Sequence, residues 1–386
     1  MDCYEESLKR HKEWGGKIET KVRSPLNSQE ELSLAYTPGV ASSCLCIASD
    51  PKMAYSLTRK WNSVAVITDG SAVLGLGNIG ALAAMPVMEG KCALFKRFGG
   101  VDAIPICLST QDSEQIISSI KAIAPSFGGI NLEDIASPRC FEIEKALQEQ
   151  LDIPVFHDDQ HGTAIAVGAA LLNALKLAKK RLEDVKIVIN GPGAAGTAIA
   201  IFLLSLGARH ILVCGLNGIL SPDDPTLSPS ALNLAQKTNP ECRKGDLAKA
   251  MRGSDVFIGV SGPNCVTPEM VKSMNGESIV FPLANPVPEI SFEQAKLSGA
   301  YIVGTGSSAY PNQINNVLAF PGLFRGALDA RAKRISERMQ KAACLALSSY
   351  LEPSIDRILP SPLDEGVHKA VAKMVCEEAK REEKGD

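Results

Sequence analysis

The chain lacks several features that would place it in familiar classes. Its 386 residues carry 40 Lys and Arg against 43 Asp and Glu, a formal net charge of -3, and no basic run stands out. The mixed-charge stretch 331–338 reads as a helix face. A general nucleic-acid binder needs a clustered positive footprint, so that class is excluded. No apolar stretch reaches the roughly 20 residues that a membrane-spanning helix needs. The start, Met1-Asp-Cys-Tyr-Glu-Glu, is acidic and polar, as expected of neither a secretory signal nor a basic presequence. The 11 cysteines include no Cys-x-x-Cys, only one Cys-x-Cys at Cys44 and Cys46, so no structural zinc site is expected. An odd, scattered set reads as reduced thiols, mostly small buried hydrophobes, in a reducing compartment such as the cytoplasm. No internal repeat or low-complexity tract is present.

With 45% hydrophobic residues over 386 positions, the chain exceeds one domain at the usual size of roughly 100–200 residues. Short apolar runs read as buried strands at 64–67, 101–106, 127–132, 153–156, 185–189, 211–214, 255–260, 278–281 and 301–304. Helical spacing fills the intervals at 113–124, 138–151 and 162–180, the last Ala-rich and apolar on most faces. Strict alternation of this kind predicts an α/β fold. The expected architecture is a doubly wound parallel-sheet, Rossmann-like nucleotide domain plus an N-terminal α/β substrate domain. The expected division is 1–155 for the substrate domain and 156–325 for the nucleotide domain. Helices over 326–386 are expected to pack back on the first domain.

Two acidic pairs follow two of these runs: Glu133-Asp134 after 127–132 and Asp158-Asp159 after 153–156. Parallel strands deliver their C-terminal ends to one sheet edge, where ligands bind. Carboxylates gathered there cannot all stay ionised without a cation. An all-oxygen set suits a hard divalent ion, Mg²⁺ or Mn²⁺. His157 and His161 flank the second pair, either as ligands or as hydrogen-bonded supports behind them.

Two Gly-x-Gly-x-x-Gly matches occur. Gly191-Pro-Gly193-Ala-Ala-Gly196 follows a clean strand and opens a helix at 197–206, the context of a dinucleotide site. Gly75-Leu-Gly77-Asn-Ile-Gly80 opens a helix carrying Pro86, beyond which Lys91 is expected, and reads as a turn bringing backbone close to substrate. The next strand after the second loop ends Cys214-Gly215-Leu216-Asn217, without the acid that usually meets the adenosine ribose, so NAD and NADP both stay open. Taken alone, Lys91 is either a desolvated base or a snorkelling lysine. Tyr36 is either a proton donor or a packing residue at a turn. Asn285 ends a strand on the ligand edge and Asn315-Asn316 begins a helix; each either caps or holds a carboxylate.

Together these segments resemble the malic enzymes of the short prokaryotic-type class. The resemblance runs from Tyr36 to about residue 326 through seven ordered motifs: Tyr36-Thr-Pro-Gly-Val-Ala, the stretch 68–80, Pro86-Val-Met-Glu-Gly-Lys91, Gly128-Gly-Ile-Asn-Leu-Glu-Asp134, Pro154-Val-Phe-His-Asp-Asp-Gln160, Asn285-Pro-Val-Pro-Glu289 and Pro311-Asn-Gln-Ile-Asn-Asn316. It implies a metal held by Glu133, Asp134 and Asp159, a base at Lys91 oriented by Asp158, and a proton donor at Tyr36. Gly191, Gly193, Ala194, Ala195 and Gly196, with Asn285, would meet the dinucleotide. Asn285, Asn315 and Asn316 would grip substrate beside Tyr36 and Lys91. The implied activity is oxidative decarboxylation of malate with NAD or NADP, in at least a homodimer. The alternatives are a malolactic-type enzyme that retains its nicotinamide and an inactive nucleotide-binding relative. The chain departs from the family pattern at Gly215, at His161 where Gln is expected, and at Ser307 and Ala309 where Arg and Asp are common. Ala72 stands where longer relatives carry a substrate-binding Arg.

Overall fold

The computed structural model describes residues 3–73 and 75–385. Met1 and Asp2 of the acidic start, and Leu74 within the 68–80 motif, lie outside the described residues. Four helices come first: α1 (Cys3–Trp14), α2 (Gln29–Ala35), α3 (Val40–Ser49) and α4 (Ala54–Leu57). No residue from 4 to 60 is buried. A four-stranded parallel sheet follows in the order β2-β1-β3-β4, from β1 (Ser63–Thr68), β2 (Asp102–Cys107), β3 (Gly129–Leu132) and β4 (Val155–His157). Its crossovers are α5 (Ala81–Gly99), α6 (Ser113–Ile123) and α7 (Arg139–Gln150). β1, β3 and β4 are buried along their whole length, which explains their unbroken apolar runs. β2 lies at the edge and tolerates Pro105 there.

The second sheet has six strands in the order β10-β9-β8-β5-β6-β7. They are β5 (Lys186–Asn190), β6 (His210–Gly215), β7 (Gly218–Ile219), β8 (Val256–Gly259), β9 (Ile279–Pro282) and β10 (Ile302–Val303). All pair in parallel except β7, a short antiparallel return from β6 that carries no sequence run of its own. α8 (Asp158–Ala178) links the sheets and α9 (Ala194–Leu206) follows β5; α10 (Pro229–Thr238), α11 (Leu247–Met251), α12 (Pro268–Lys272) and α13 (Phe292–Leu297) connect the remaining strands. The chain closes with α14 (Phe320–Ala330), α15 (Glu337–Ser348) and α16 (Val367–Lys384). The doubly wound parallel architecture is therefore the observed one.

Three expectations need correction. Lys91 does not lie beyond the Pro86 helix but inside it, because α5 runs through Pro86 and Gly90 to Gly99. Its buried positions Ala84, Met88, Lys91, Cys92, Phe95 and Gly99 recur at helical spacing, and packing on β1, β2 and α14 outweighs the lost proline hydrogen bond. The second acidic pair opens α8 rather than preceding it, so the helix starts four residues before its expected start at Gly162; carboxylates are favoured at the positive end of a helix dipole. Among the described residues two stretches, Gln29–Ser49 and Asp158–Ala178, are long and apolar enough to cross a membrane by length and composition, where none was expected. The first is broken into α2 and α3 around Pro38, and 72% of the second is buried inside the protein.

The C-terminal helices brace α5. Phe95 packs against Phe320 and Phe324 with ring centroids 4.7 and 5.2 Å apart. α14 lies backbone to backbone on its neighbours: a Cβ at Gly99 would stand 2.7 Å from the Pro321 carbonyl oxygen, and one at Gly326 2.5 Å from that of Ala372. Gly326→Ala should therefore force α14 and α16 apart and destabilise the protein by about 1–3 kcal/mol. Urea unfolding checks this, and an unchanged midpoint would contradict the close packing.

Candidate active site

The carboxyl ends of β1, β3 and β4 share one edge, which places Asp69, Glu133-Asp134 and Asp158-Asp159 side by side. α5 lays Lys91 across them. Lys91 Nζ stands 2.5 Å from Asp158 Oδ2 and 2.8 Å from Glu133 Oε1, and 4.2 Å from the ring centroid of Phe320. The lysine is 7% exposed and Asp158 fully buried, so this is no snorkelling surface lysine. Glu133 Oε2 accepts from Asn131 Nδ2 at 2.8 Å, and Asp159 Oδ2 accepts the Asp134 backbone N–H at 2.8 Å.

Charge is crowded here. Burial pulls the Lys91 ammonium down, but Asp158 and Glu133 outweigh it and hold the group above the ordinary lysine range. Burial pushes Asp158 up to about 7 and Asp159 up to about 6, against the pull of Lys91. Burial also raises Glu133. The anionic groups outnumber the one buried ammonium, and Asp158 Oδ1 is buried without a hydrogen-bond partner. Such a set fits a hard cation. Even so, among the described residues no group of three or more His, Cys, Asp or Glu is arranged to hold a metal ion. Glu133 is turned onto Lys91, and Asp159 onto the Asp134 amide.

Local sequence shapes this packing. A Cβ at Gly162 would fall 1.8 Å from Asp158 Oδ1, one helical turn back, and 3.3 Å from Asn316 Cβ. Gly162 thus makes room for the carboxylate, and Asn316 borders it. Asn315 Oδ1 accepts the Val317 N–H at 2.9 Å as a helix cap, leaving its amide donors for other use. The histidines stand behind the acids. His161 Nε2 lies 3.0 Å from Glu144 Oε2, and Glu144 Oε1 accepts the His157 backbone N–H at 2.9 Å. Burial opposes charge on His161, but Glu144 outweighs it and holds the imidazole above its ordinary value. The His157 ring is fully buried, its Nδ1 3.8 Å from Asp159 Oδ2.

The second sheet supplies the other wall. Gly191 turns the chain at φ +116, and a Cβ there would stand 2.5 Å from the Val260 carbonyl oxygen. A Cβ at Gly196 would fall 1.8 Å from the Gly191 carbonyl oxygen, so α9 packs directly on the loop. A Cβ at Gly193 would meet nothing within 4 Å. No side chain caps α9, whose first residues are Ala194 and Ala195. Tight turn, open face and close helix approach are the requirements for seating a pyrophosphate on helix amides. Glu289, fully buried, ties the crevice together by accepting the Ser261 N–H at 2.8 Å and the Ala284 N–H at 3.1 Å. Asn285 is exposed beyond β9, and a Cβ at Gly75 would stand 3.1 Å from Pro286 Cδ, so the first glycine loop meets the second sheet here. Gly215 ends β6 beside Pro192, and Leu216 projects fully into solvent. Ser307 Oγ accepts the Ala309 N–H at 3.2 Å within the loop that faces Asn285.

Tyr36 caps α2 at 73% exposure, whereas Lys91 is buried. Conversely, Phe320, Asn131, Gly162 and Glu144 were not singled out from sequence. Asn131, a polar residue inside a buried strand, and Gly162, one turn after Asp158, carried usable signals. Phe320 carried none.

A lysine among buried carboxylates on one lobe, opposite a glycine loop on a Rossmann-type lobe, defines a two-lobed, dinucleotide-dependent enzyme. Comparison with known proteins narrows this. The family described as malic enzyme, N-terminal domain, matches residues 15–117, and malic enzyme, NAD binding domain, matches 160–380. The chain belongs to the malic enzyme family. It is 55% identical to an NAD-dependent malic enzyme of Geobacillus stearothermophilus, over 95% of this chain and 77% of that one. It is 50% identical to a bifunctional malic/malolactic enzyme of Bacillus subtilis, over 98% and 93%. The crystal structure of an NAD-dependent malic enzyme from Thermotoga maritima superposes with a TM-score of 0.94 at 50% identity, covering 97% of this chain and 99% of that one.

Gly191→Ala places a side chain in a left-handed conformation against Val260. At about 1–3 kcal/mol of strain, dinucleotide affinity should fall roughly tenfold or more, as measured by NADH or NADPH fluorescence titration. Unchanged affinity would remove this loop from the cofactor site.

Proposed function

We propose that this protein oxidatively decarboxylates L-malate to pyruvate and CO₂ while reducing NAD or NADP, with Mg²⁺ or Mn²⁺, in the cytoplasm. The observation that carries this is Lys91, buried between Asp158 and Glu133 on the sheet edge that meets the glycine-loop lobe. Glu133, Asp134 and Asp159 would hold the ion, and Gly191, Gly193, Ala194, Ala195 and Gly196 the dinucleotide. When bound, the nicotinamide supplies the hydride acceptor and the ion supplies positive charge for the electron pair left as CO₂ departs.

The chain's own residues manage protons and position. Lys91 Nζ takes the proton of the substrate 2-hydroxyl. Its resting proton has an acceptor within reach, since Asp158, pushed up to about 7, lies 2.5 Å away. Asn285, Asn315 and Asn316 orient substrate oxygens by amide donors. The tyrosine hydroxyl returns a proton to C3. Because Tyr36 is exposed, and residues 4–60 include exposed Leu34 and Leu45 but no buried side chain, we assign this last role to Tyr36 of the partner subunit in a homodimer. Functionally, 1–155 presents the lysine, 156–325 the nucleotide, and 326–386 braces the first segment. A malolactic outcome is the second reading, favoured by the Bacillus subtilis relative with both names; it would consume malate without net cofactor reduction.

Initial rates with malate, Mn²⁺ and each nucleotide should show reduced cofactor and pyruvate in equal amounts, with weak selectivity or a lean toward NADP, since Gly215 supplies no carboxylate. A large NAD preference would contradict the role given to Gly215. Lys91→Ala should lower kcat/KM by about 10²–10⁴-fold; activity within a few-fold of the parent would displace the base. Tyr36→Phe and Lys91→Ala chains, each inactive alone, should regain turnover when mixed and allowed to exchange subunits. Failure to regain it would place Tyr36 in the same chain's site.

A further inference from the structure

One buried acid beside the site takes no part in the chemistry proposed above. Glu144 is 5% exposed and is the charged member of the buried face of α7, among Cys140, Ile143 and Leu147. Both of its oxygens meet the start of α8. Oε1 accepts the His157 backbone N–H at 2.9 Å. Oε2 stands 3.0 Å from His161 Nε2 and accepts from Gln160 Nε2 at 3.4 Å. Burial would push this carboxyl up, but His161 outweighs burial, with help from His157, and holds the group below the ordinary carboxylate range. A buried ion pair gives little stability over apolar side chains of similar volume. Its place under the site therefore asks for another reason.

The junction that Glu144 grips has no loop. β4 ends at His157 and α8 begins at Asp158, so strand turns into helix without a connecting residue. No side chain caps the start of α8. Successive residues on a helix point about 100° apart. A modest rotation of this first turn would carry Asp158 off Lys91 and Asp159 off the Asp134 amide. Two contacts at the site resist it: Lys91 Nζ at 2.5 Å from Asp158 Oδ2, and the Asp134 N–H at 2.8 Å from Asp159 Oδ2. Glu144 adds a third from the neighbouring helix, through His157 just before the acidic pair and Gln160 and His161 just after it. The His161 ring is also seated on Phe156, with centroids 5.3 Å apart.

We infer that Glu144 is a positioning residue: its carboxylate sets the angle at which α8 leaves β4, and so holds Asp158 on Lys91 and Asp159 beside Glu133. The inference rests on the roles proposed above for Asp158 and Asp159. Glu144 touches neither substrate nor ion, so its reach matters more than its charge. Glutamine has the same reach: its carbonyl accepts the His157 N–H, and its amide can donate to a neutral His161 Nε2. Aspartate keeps the charge but is one carbon shorter.

Comparing the parent with Glu144→Asp and Glu144→Gln separates reach from charge. Mn²⁺ is titrated calorimetrically into each metal-free protein, kcat and KM for malate are measured alongside, and NADPH affinity is followed by fluorescence. Glu144→Asp should bind Mn²⁺ about 10–100-fold more weakly and lose kcat with it, while NADPH affinity stays unchanged. Glu144→Gln should recover Mn²⁺ affinity to within a few-fold of the parent. The inference is overturned if the Asp variant binds Mn²⁺ as the parent does. It is overturned if the Gln variant is the weaker of the two, which would make Glu144 a counter-charge for His161. Loss of NADPH binding in the Asp variant would mark general damage and overturn it as well. Should Glu144→Asp not fold, the Gln variant decides, and a loss of the size expected for Asp sinks the inference. A parent that binds no Mn²⁺ overturns the cation reading and this inference with it; a parent that binds, with variants that match it, overturns this inference alone.

Discussion

The structure turns on one buried ammonium held between carboxylates. Lys91 reaches Asp158 and Glu133 where water is excluded, on a helix whose remaining buried face is apolar. Breaking a buried pair by removing one partner typically costs about 3–5 kcal/mol, yet replacing the whole set by apolar side chains is often neutral. Stability therefore does not require such a cluster. Its surroundings are nonetheless built for it: Gly162 clears space for Asp158, Phe320 offers its ring face to the ammonium, and Asn131 steadies Glu133. Burial leaves the acids above their ordinary range, while Asp158 and Glu133 overcome burial to keep the lysine protonated at rest, a state that added positive charge would shift toward a free amine.

Placement follows from parallel strands. β1, β3 and β4 end on one edge of the first sheet, and β5, β8 and β9 end on one edge of the second. The two edges meet where Gly75 approaches Pro286. A buried carboxylate, Glu289, joins the loops after β8 and β9 and so fixes the wall of the crevice in which Gly193 stands open. Rigid packing of α14 on α5 and α16 through Gly99, Gly322 and Gly326 gives the lysine a stiff support.

Much of this was legible. Buried parallel strands must be apolar on both faces, so they stood out as short runs, and the acidic pairs stood out because they interrupt two of them. The glycine loop declared itself through its strand and helix context. What stayed hidden depends on contacts distant in sequence. Pro86 and Gly90 suggested a break before Lys91, but tertiary packing carried α5 past both. β7 is two residues long and exists through its pairing with β6. Phe320 lies 229 positions from the lysine it touches, and no local pattern links them. Tyr36 belonged to a recognisable motif, yet it follows α2 exposed to solvent, and no local pattern shows what it meets.

The central claim is that the acids around Lys91 carry more negative charge than the fold neutralises by itself. Calorimetric titration of metal-free protein with Mn²⁺ tests it most directly. The account predicts saturable binding at a single class of site, weakened at least tenfold by Glu133→Gln or Asp159→Asn. No saturable binding, or binding unchanged in both variants, would contradict it.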